Sequence, residues 1–150
     1  MAHTFTHLLT HIVFSTKDRE PWLNAEIKPR LLAYVGGIVR ELDGKALAIN
    51  GPSDHVHLLA SLPAKTAVSE IMRMVKTNSS GWVHENFPAA GAFAWQTGYG
   101  AFSVSASNLE AVRQYITNQE THHRRMTFQE EFVALLRKHG IEYEERYLWE

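Results

Sequence analysis

Two histidines, His55 and His57, stand one residue apart in the segment DHVHLLASLP. In a β-strand, side chains two positions apart share a face, so both imidazoles would point the same way. Their Cα atoms would lie about 7 Å apart, which allows two ring nitrogens to bind one divalent metal ion. The residues that alternate with them are apolar and would face the core: Val56, Leu58, Ala60 and Leu62.

The histidine content of the chain limits what this pair shows by itself. With nine histidines in 150 residues, random placement yields about 0.5 such pairs per sequence. Structural or surface histidines therefore stay open as an alternative to a metal site, and a third element is needed.

The segment EAVRQYITNQETHH offers such an element, because Tyr115 and Gln119 lie one helical turn apart on the same face. Tyr115 stands beside the apolar stripe of Leu109, Val112 and Ile116. One interpretation is an interfacial aromatic ring with a hydrogen-bonded hydroxyl. The other makes Tyr115 a nucleophile and Gln119 a neutral third metal ligand.

The periodicity of apolar residues predicts the elements that position these side chains. We expect strands from Thr4 to Ser15, Lys45 to Asn50, His55 to Leu62 and Ala101 to Ser105. We expect helices from Asn24 to Leu42, from Val68 to about Ser79 or Gly81, from Asn108 to His122 and from Phe128 to Lys138. The expected N-caps are Asn24, Ser107 (with Glu110 in a capping box) and Thr127, and the expected stops are Asp43-Gly44 and Gly140.

This order of elements predicts an α+β fold, a ferredoxin-like βαββαβ antiparallel sheet with helices on one face and extra C-terminal helices. The other face of the sheet would be left open for ligands or partner chains. The histidine pair belongs to that face.

Length and composition limit the classes of protein to which the chain can belong. A chain of 150 residues, 45% of them hydrophobic, is long enough for one domain. The absence of cysteine excludes disulfides and thiolate metal sites, and no apolar stretch reaches the roughly 18 residues of a membrane helix. We therefore expect a cytoplasmic protein. The net charge of -1 argues mildly against a protein that coats long duplexes.

Four segments, in order, carry a resemblance to a known family: HIVFSTK, DHVHLLASLP, IMRMVKTNSSGWV and YITNQETHH. Together they resemble the single-tyrosine HUH transposases of small bacterial insertion sequences, including the REP-associated tyrosine transposases. The resemblance covers nearly the whole chain, and it implies that residues 1–150 form one transposase (HUH endonuclease) domain. It also implies a homodimer that acts on single-stranded DNA with hairpin ends.

The resemblance further implies the chemistry of the site. His55, His57 and Gln119 would bind Mg²⁺ or Mn²⁺, and Tyr115 would displace a 3′ oxygen from a phosphodiester to leave a 5′-phosphotyrosine. The covalent intermediate retains the bond energy, so no nucleotide cofactor is needed. A phenol with a pKa near 10 needs help at neutral pH, which a metal ion that polarises the phosphate would supply. Asp54 could orient His55 as a hydrogen-bond acceptor.

Candidate DNA contacts are basic residues in small groups: Lys17, Arg19, Arg73, Lys76, Arg124 and Arg125. The near-neutral charge and the acidic tail HGIEYEERYLWE argue against strong DNA binding. Two other functions stay open. One is a single-stranded nucleic-acid-binding protein that does not cleave, and the other is a small metal-dependent hydrolase that forms no covalent adduct.

Overall fold

A computed structural model describes residues 3–119 and 126–150 and confirms the ferredoxin-like α+β fold. The strands are β1 (Leu8–Ser15), β2 (Lys45–Asn50), β3 (His55–Leu62) and β4 (Gly100–Ser103). The helices are α1 (Ile27–Glu41), α2 (Val68–Asn86), α3 (Leu109–Thr117) and α4 (Phe128–Lys138). The sheet has the order β2-β3-β1-β4, and every neighbouring pair is antiparallel.

One face of the sheet forms the main core with α1 and α2. The register pairs Ile12 with Leu58 and Phe14 with Val56, and these four side chains are at most 1% exposed. Because alternate residues of a strand share a face, the apolar half of β3 packs against the helices, as the sequence predicts. His55 and His57 consequently lie on the opposite face.

The opposite face is covered, and the expectation that it is open was wrong. Helix α3 contacts β2 and β3, and α4 packs Phe128 and Leu136 against Val13 and Phe102 of the sheet. The extra C-terminal helices therefore close the face that carries the histidines. The physical reason is that this face carries apolar side chains of its own, Val13 and Phe102, which the apolar stripe of α4 covers.

Two strand ends differ from the prediction. β1 begins at Leu8 and not at Thr4, because its partner β3 ends where Leu62 pairs with Leu8. β4 covers Gly100–Ser103 and ends before Ser105. An unpaired segment loses the backbone hydrogen bonds that make it a strand, so the propensity of the sequence alone overestimates the length.

Helix α2 continues to Asn86, five residues beyond the latest predicted end at Gly81. The hydroxyl of Ser79 donates to the carbonyl oxygen of Val75 within the helix, so it does not compete with the helical hydrogen bonds. A glycine inside a helix costs only about 1 kcal/mol, which packing offsets here. The helix stops before Phe87, because this residue precedes Pro88 and the α conformation is disfavoured there.

The predicted capping box of Ser107 and Glu110 was wrong. Ser107 lies inside a 3₁₀ turn, Ala106–Asn108, which precedes α3, and its hydroxyl contacts that of Ser105. α3 also ends at Thr117 and not at His122, and residues 120–122 lie outside the described residues.

The predicted cap at Thr127 is confirmed, whereas α1 begins at Ile27 with Glu26 at its N-cap position, so the predicted start at Asn24 was three residues too early. Oδ1 of Asn24 accepts hydrogen bonds from the N–H groups of Glu26 and Ile27, at the turn that leads into α1. Thr127 and Glu130 form a complete capping box at the start of α4. In the described part of the chain, no helix is long and apolar enough to cross a membrane.

Replacing Leu58 by alanine tests the main core. Leu58 is 0% exposed, and removing a buried leucine leaves a cavity, so the free energy of unfolding falls by about 3 kcal/mol. Leu8, on an adjacent strand of the same sheet, is 46% exposed, and Leu8→Ala serves as the matched control with an expected loss under about 0.5 kcal/mol. Urea unfolding followed by circular dichroism measures both, and equal losses would contradict the described core.

Candidate active site

The histidine pair lies at the start of β3, directly after the turn that joins β2 to β3. Gly51 is required in this turn, because a Cβ there would collide with the backbone carbonyl of His55. His55 pairs with Ser15, and His57 pairs with Val13, in the middle of the sheet. Both imidazoles are 0% exposed, so their nitrogens must find partners inside the protein.

The shared partner is the carboxylate of Glu131, which projects from α4 and is 1% exposed. Its Oε1 lies 3.0 Å from Nε2 of His55 and 2.8 Å from Nε2 of His57. Two imidazoles on one strand therefore converge on one oxygen atom. The prediction that the two rings point towards a common place is confirmed by this geometry.

Tyr115 and Gln119 reach the same carboxylate. The hydroxyl of Tyr115 donates a short hydrogen bond to Oε2 of Glu131. Nε2 of Gln119 lies 3.4 Å from the same oxygen and 3.3 Å from the carbonyl oxygen of Tyr115. The phenol, the amide and both imidazoles thus meet within one chain, around Glu131.

Asn50, the last residue of β2, holds the end of α3. Its Nδ2 lies 3.1 Å from the carbonyl oxygen of Ile116 and 3.2 Å from that of Thr117. These carbonyls lie in the last turn of α3, where carbonyl groups commonly take side-chain partners. Because Tyr115 precedes them directly, Asn50 fixes the position of the tyrosine relative to the sheet.

The second nitrogen of each imidazole has a partner as well. Nδ1 of His55 lies 2.8 Å from Oδ1 of Asp54, as the sequence suggested. Nδ1 of His57 lies 2.8 Å from Nε2 of His11 on β1. A histidine that binds a metal through Nε2 must donate from Nδ1, and acceptors stand at both Nδ1 positions.

Burial and charge shift the pKa values of the site. Burial favours a higher pKa for Glu131, but hydrogen bonds from His55 and His57 outweigh it and hold the pKa well below its usual range. Burial would lower the pKa of His55, and its bonds to Asp54 and Glu131 instead raise it. Burial, with the hydrogen bond to Glu131, raises the pKa of Tyr115. The site therefore holds an ionised carboxylate beside a protonated phenol.

The donor atoms present fit a divalent metal ion. One ligand atom from each of His55, His57 and Glu131 lies within 4.8 Å of the others. Among the described residues, nothing donates to Oε1 of Gln119, although this oxygen is buried. A buried acceptor without a donor is costly, and a cation beside it would remove that cost. Imidazole nitrogens with carboxylate or amide oxygens suit metals such as Mn²⁺.

Sequence reasoning missed three residues of this site. Glu131 occupies a position of α4 where the spacing from Phe128 to Leu135 calls for an apolar side chain, and this was the available signal. His11 was assigned no role, although it shares a face of β1 with Val13. Asn50 gave no signal, because its partners are 66 and 67 residues away.

The six candidate DNA contacts are scattered. Lys17 is exposed and Arg19 lies over the ring of Trp149, both at the end of β1 nearest His55. Arg73 and Lys76 lie on α2, which packs on the opposite face; Arg73 pairs with Glu70. Nζ of Lys76 donates to the carbonyls of residues 96 and 98, and burial lowers the pKa of this amine to about 8. Arg124 and Arg125 lie outside the described residues.

Comparison with known families and proteins identifies one family. The profile of the family described as "Transposase IS200 like" matches residues 4–119. The transposase for insertion sequence element IS200 of Salmonella typhimurium is 31% identical over 128 residues, which cover 79% of this chain and 81% of the relative. The corresponding transposase of Salmonella typhi matches with the same values. Glu131 lies beyond the residues that the family profile matches.

Two solved structures share the fold. A transposase candidate from Deinococcus radiodurans superposes with a TM-score of 0.64 at 22% identity, over 79% of this chain and 96% of the other. A REP-associated tyrosine transposase bound to a REP hairpin superposes with a TM-score of 0.62 at 13% identity, over 82% of this chain and 72% of the other. At sequence identities this low, the similarity to these two structures establishes a shared fold.

The burial of His11 predicts a pH dependence of stability. Burial, with the charge of His57, lowers the pKa of His11 from 6.5 to about 3 in the folded chain. Between about pH 6.5 and pH 3, His11 is therefore protonated in the unfolded chain but neutral in the folded chain. The free energy of unfolding consequently falls as the pH falls through this range. In metal-free protein, we expect His11→Gln to reduce the loss of unfolding free energy between pH 7 and pH 5 by about 2 kcal/mol.

Urea unfolding at both pH values measures this difference. His7→Gln, which replaces an exposed histidine just before β1, is the matched control and should leave the pH dependence as in the wild type. If His11→Gln showed the same pH dependence as the wild type, His11 would not be held neutral in the folded protein.

Proposed function

The chain belongs to the IS200-like transposase family, and we propose that it cleaves and rejoins single-stranded DNA through a 5′-phosphotyrosine intermediate on Tyr115. The observation that carries this proposal is the meeting of the Tyr115 phenol with the imidazoles of His55 and His57 at one carboxylate. A nucleophile, a site for a cation and a carboxylate that orients the phenol by a hydrogen bond are thus within reach of one another.

The proposed substrate is single-stranded DNA with hairpin ends. Two facts support it: the family of the chain, and a fold neighbour that was solved bound to a REP hairpin. Among the candidate cations, Lys17 and Arg19 lie at the end of the sheet nearest His55 and are the best placed to contact a DNA backbone there.

The proposed reaction is a transesterification that begins with the Tyr115 hydroxyl. Its oxygen forms a bond to phosphorus, and the bond between phosphorus and the 3′ oxygen breaks. The carboxylate of Glu131 orients the phenol through its hydrogen bond, but its pKa is held well below the usual range, so the phenolic proton passes to water as the bond to phosphorus forms. The leaving 3′ oxygen takes a proton from water. Because the pKa of Tyr115 is raised, the phenol keeps its proton until the bond to phosphorus forms.

The proposed metal ligands are Nε2 of His55, Nε2 of His57 and Oε1 of Gln119, with Glu131 as a further oxygen donor. Bound Mg²⁺ or Mn²⁺ would polarise the scissile phosphate and offset the charge that develops on the leaving oxygen. Asp54 and His11 accept from the two Nδ1 atoms and fix the orientation of the rings.

Residues 1–150 are proposed to form a single domain that assembles as a homodimer. The described site contains the tyrosine and both histidines of one chain, so it does not depend on a partner for these groups. The strongly exposed Phe5, at 92% exposure, gives the N-terminal segment an apolar contact for a second subunit. Light scattering after size-exclusion chromatography distinguishes a monomer from a dimer.

Two alternative functions predict different products. A nucleic-acid-binding protein that does not cleave would bind DNA with or without metal, and a hydrolase would turn over without a protein–DNA adduct. The direct contact between Tyr115 and the histidine site favours the strand transferase over both.

Tyr115→Phe tests the nucleophile. We expect wild-type protein, incubated with single-stranded hairpin oligonucleotides and Mn²⁺, to form a covalent adduct visible on a denaturing gel. Tyr115→Phe removes the attacking oxygen and abolishes the adduct, and chelation by EDTA also abolishes it. Tyr147→Phe, at a tyrosine that is 57% exposed, is the matched control and retains the adduct.

An adduct that survives Tyr115→Phe would identify another nucleophile and refute the proposed role. Metal-dependent cleavage without any adduct would support the hydrolase, and metal-independent binding without cleavage would support the binding protein.

Gln119→Leu tests the ligand set independently of DNA. Loss of a ligand should weaken Mn²⁺ binding by at least about tenfold, because even changes beyond the ligands have effects of that size. Glu131→Gln should also weaken it, since it removes the only carboxylate at the meeting point of the imidazoles among the described residues. Titration followed by electron paramagnetic resonance of free Mn²⁺ measures the affinity.

Gln114→Leu makes the same change at an exposed position of α3 and should bind Mn²⁺ as the wild type does. Affinity that is unchanged in Gln119→Leu would remove Gln119 from the ligand set and leave His55, His57 and Glu131.

A further inference from the structure

A cavity of about 710 Å³ opens beside Tyr115, between α3, α4 and the segment that follows β4. Tyr115, Glu131 and His11 lie along it, so it leads directly to the catalytic groups. Its volume falls within the range of about 300 to 1,000 Å³ that is usual for sites that bind small ligands. The reaction proposed above does not by itself require space of this size next to the phenol.

The walls of the cavity differ in chemistry. Ala111 and Val112 of α3 and Leu135 of α4 provide apolar surface. Another part of the wall carries polar side chains: Ser103, at the end of β4, and Ser105 and Asn108, which follow it. A nucleobase has the same division, with apolar faces and an edge of hydrogen-bond donors and acceptors. The cavity therefore matches an unstacked base better than it matches a sugar or a phosphate.

Asn108 is the group best suited to read the edge of a base. It stands directly before α3, and its side chain makes no cap hydrogen bond to that helix. No hydrogen bond joins its side-chain amide to any residue in the ranges 3–119 and 126–150. An asparagine amide both donates and accepts, which allows a two-point contact with a base edge.

Lys138 supplies positive charge at the cavity. It ends α4, is exposed, and within the described residues forms no ion pair with a carboxylate. An ammonium group near the entrance suits a DNA phosphate. The cavity thus offers a place for a base and, close by, a contact for the backbone that carries it.

We propose that this cavity binds the nucleobase of a nucleotide that flanks the phosphodiester attacked by Tyr115, with Asn108 reading the base edge. The proposal rests on the function proposed above. A base fixed in the cavity holds its own phosphate against the phenol, and such positioning accelerates an attack that otherwise depends on chance alignment. Asn108 would accordingly determine which base is accepted beside the cut.

The test uses single-stranded oligonucleotides with a randomised region, incubated with Mn²⁺ and the full chain. The DNA ends released by cleavage and the DNA attached to protein are sequenced. With wild-type protein, we expect one of the two positions flanking the cut to show a preference of roughly five- to 150-fold for one base, the range that two-point readout by a side chain provides.

Asn108→Ala is expected to reduce that preference to within about twofold of even, at that position only, because the apolar walls remain. The matched control is Asn78→Ala, an exposed asparagine on α2 at the other face of the sheet, which should leave the preference as in the wild type. A preference that persists in Asn108→Ala, or that changes equally at all positions, would overturn the proposal.

A second variant tests the occupancy of the cavity without relying on Asn108. Ala111→Phe places a ring in the cavity and should lower the yield of adduct at least about tenfold. It should also remove the difference between a normal oligonucleotide and one lacking the flanking base. Ala33→Phe makes the same change at an exposed alanine on α1 and should resemble the wild type. Full activity of Ala111→Phe with an unchanged base preference would exclude the cavity as the base site.

The proposed strand transfer and the proposed base site would be refuted by different results. If wild-type protein forms no adduct and releases no ends, the proposed strand transfer is wrong. If the adduct forms but no flanking preference depends on Asn108 or Ala111, strand transfer stands and the base site is wrong.

Discussion

The buried carboxylate of Glu131 is the interaction on which the site depends. Removing a carboxylate from water costs several kcal/mol unless strong partners replace the lost hydration. Here the partners are two imidazoles of β3 and the phenol of α3. The same bonds attach α4 to the sheet and to the tyrosine helix, so the electrostatic requirement of one side chain also closes the second face of the fold.

The first half of the fold could be predicted because its signals are local. Apolar residues alternate along β3 and recur at helical spacing along α1 and α2. Each pattern is contained within one element, and together they show correctly which face of each element packs in the main core. The predicted element ends and caps are wrong where a residue distant in sequence determines where a strand ends or which group a side chain binds. β1 starts only at Leu8, because its partner strand β3 ends at Leu62. Ser107, in the 3₁₀ turn before α3, bonds to Ser105 instead of capping the helix.

The residues of the site likewise fall into a group that the sequence predicts and a group that it does not. His55, His57, Tyr115 and Gln119 were predictable because their spacing and the resemblance to known transposases coincide. Glu131 and His11 could not be placed from spacing alone, because each meets the histidine pair through tertiary contacts between residues 46 to 76 positions apart. Glu131 lies, in addition, beyond the part of the chain that carries the family pattern.

The near-neutral charge of the protein bears on how it would bind DNA, and therefore on the role of the cavity. The net charge is -1, and two of the candidate DNA contacts already have partners inside the protein, because Arg73 pairs with Glu70 and Lys76 donates to backbone carbonyls. Affinity for DNA that comes from phosphate contacts grows with the number of phosphates neutralised, whereas contacts to bases do not depend on that number. The base site proposed beside Tyr115 would add affinity that does not depend on the number of phosphates neutralised, at the place where it also directs the reaction.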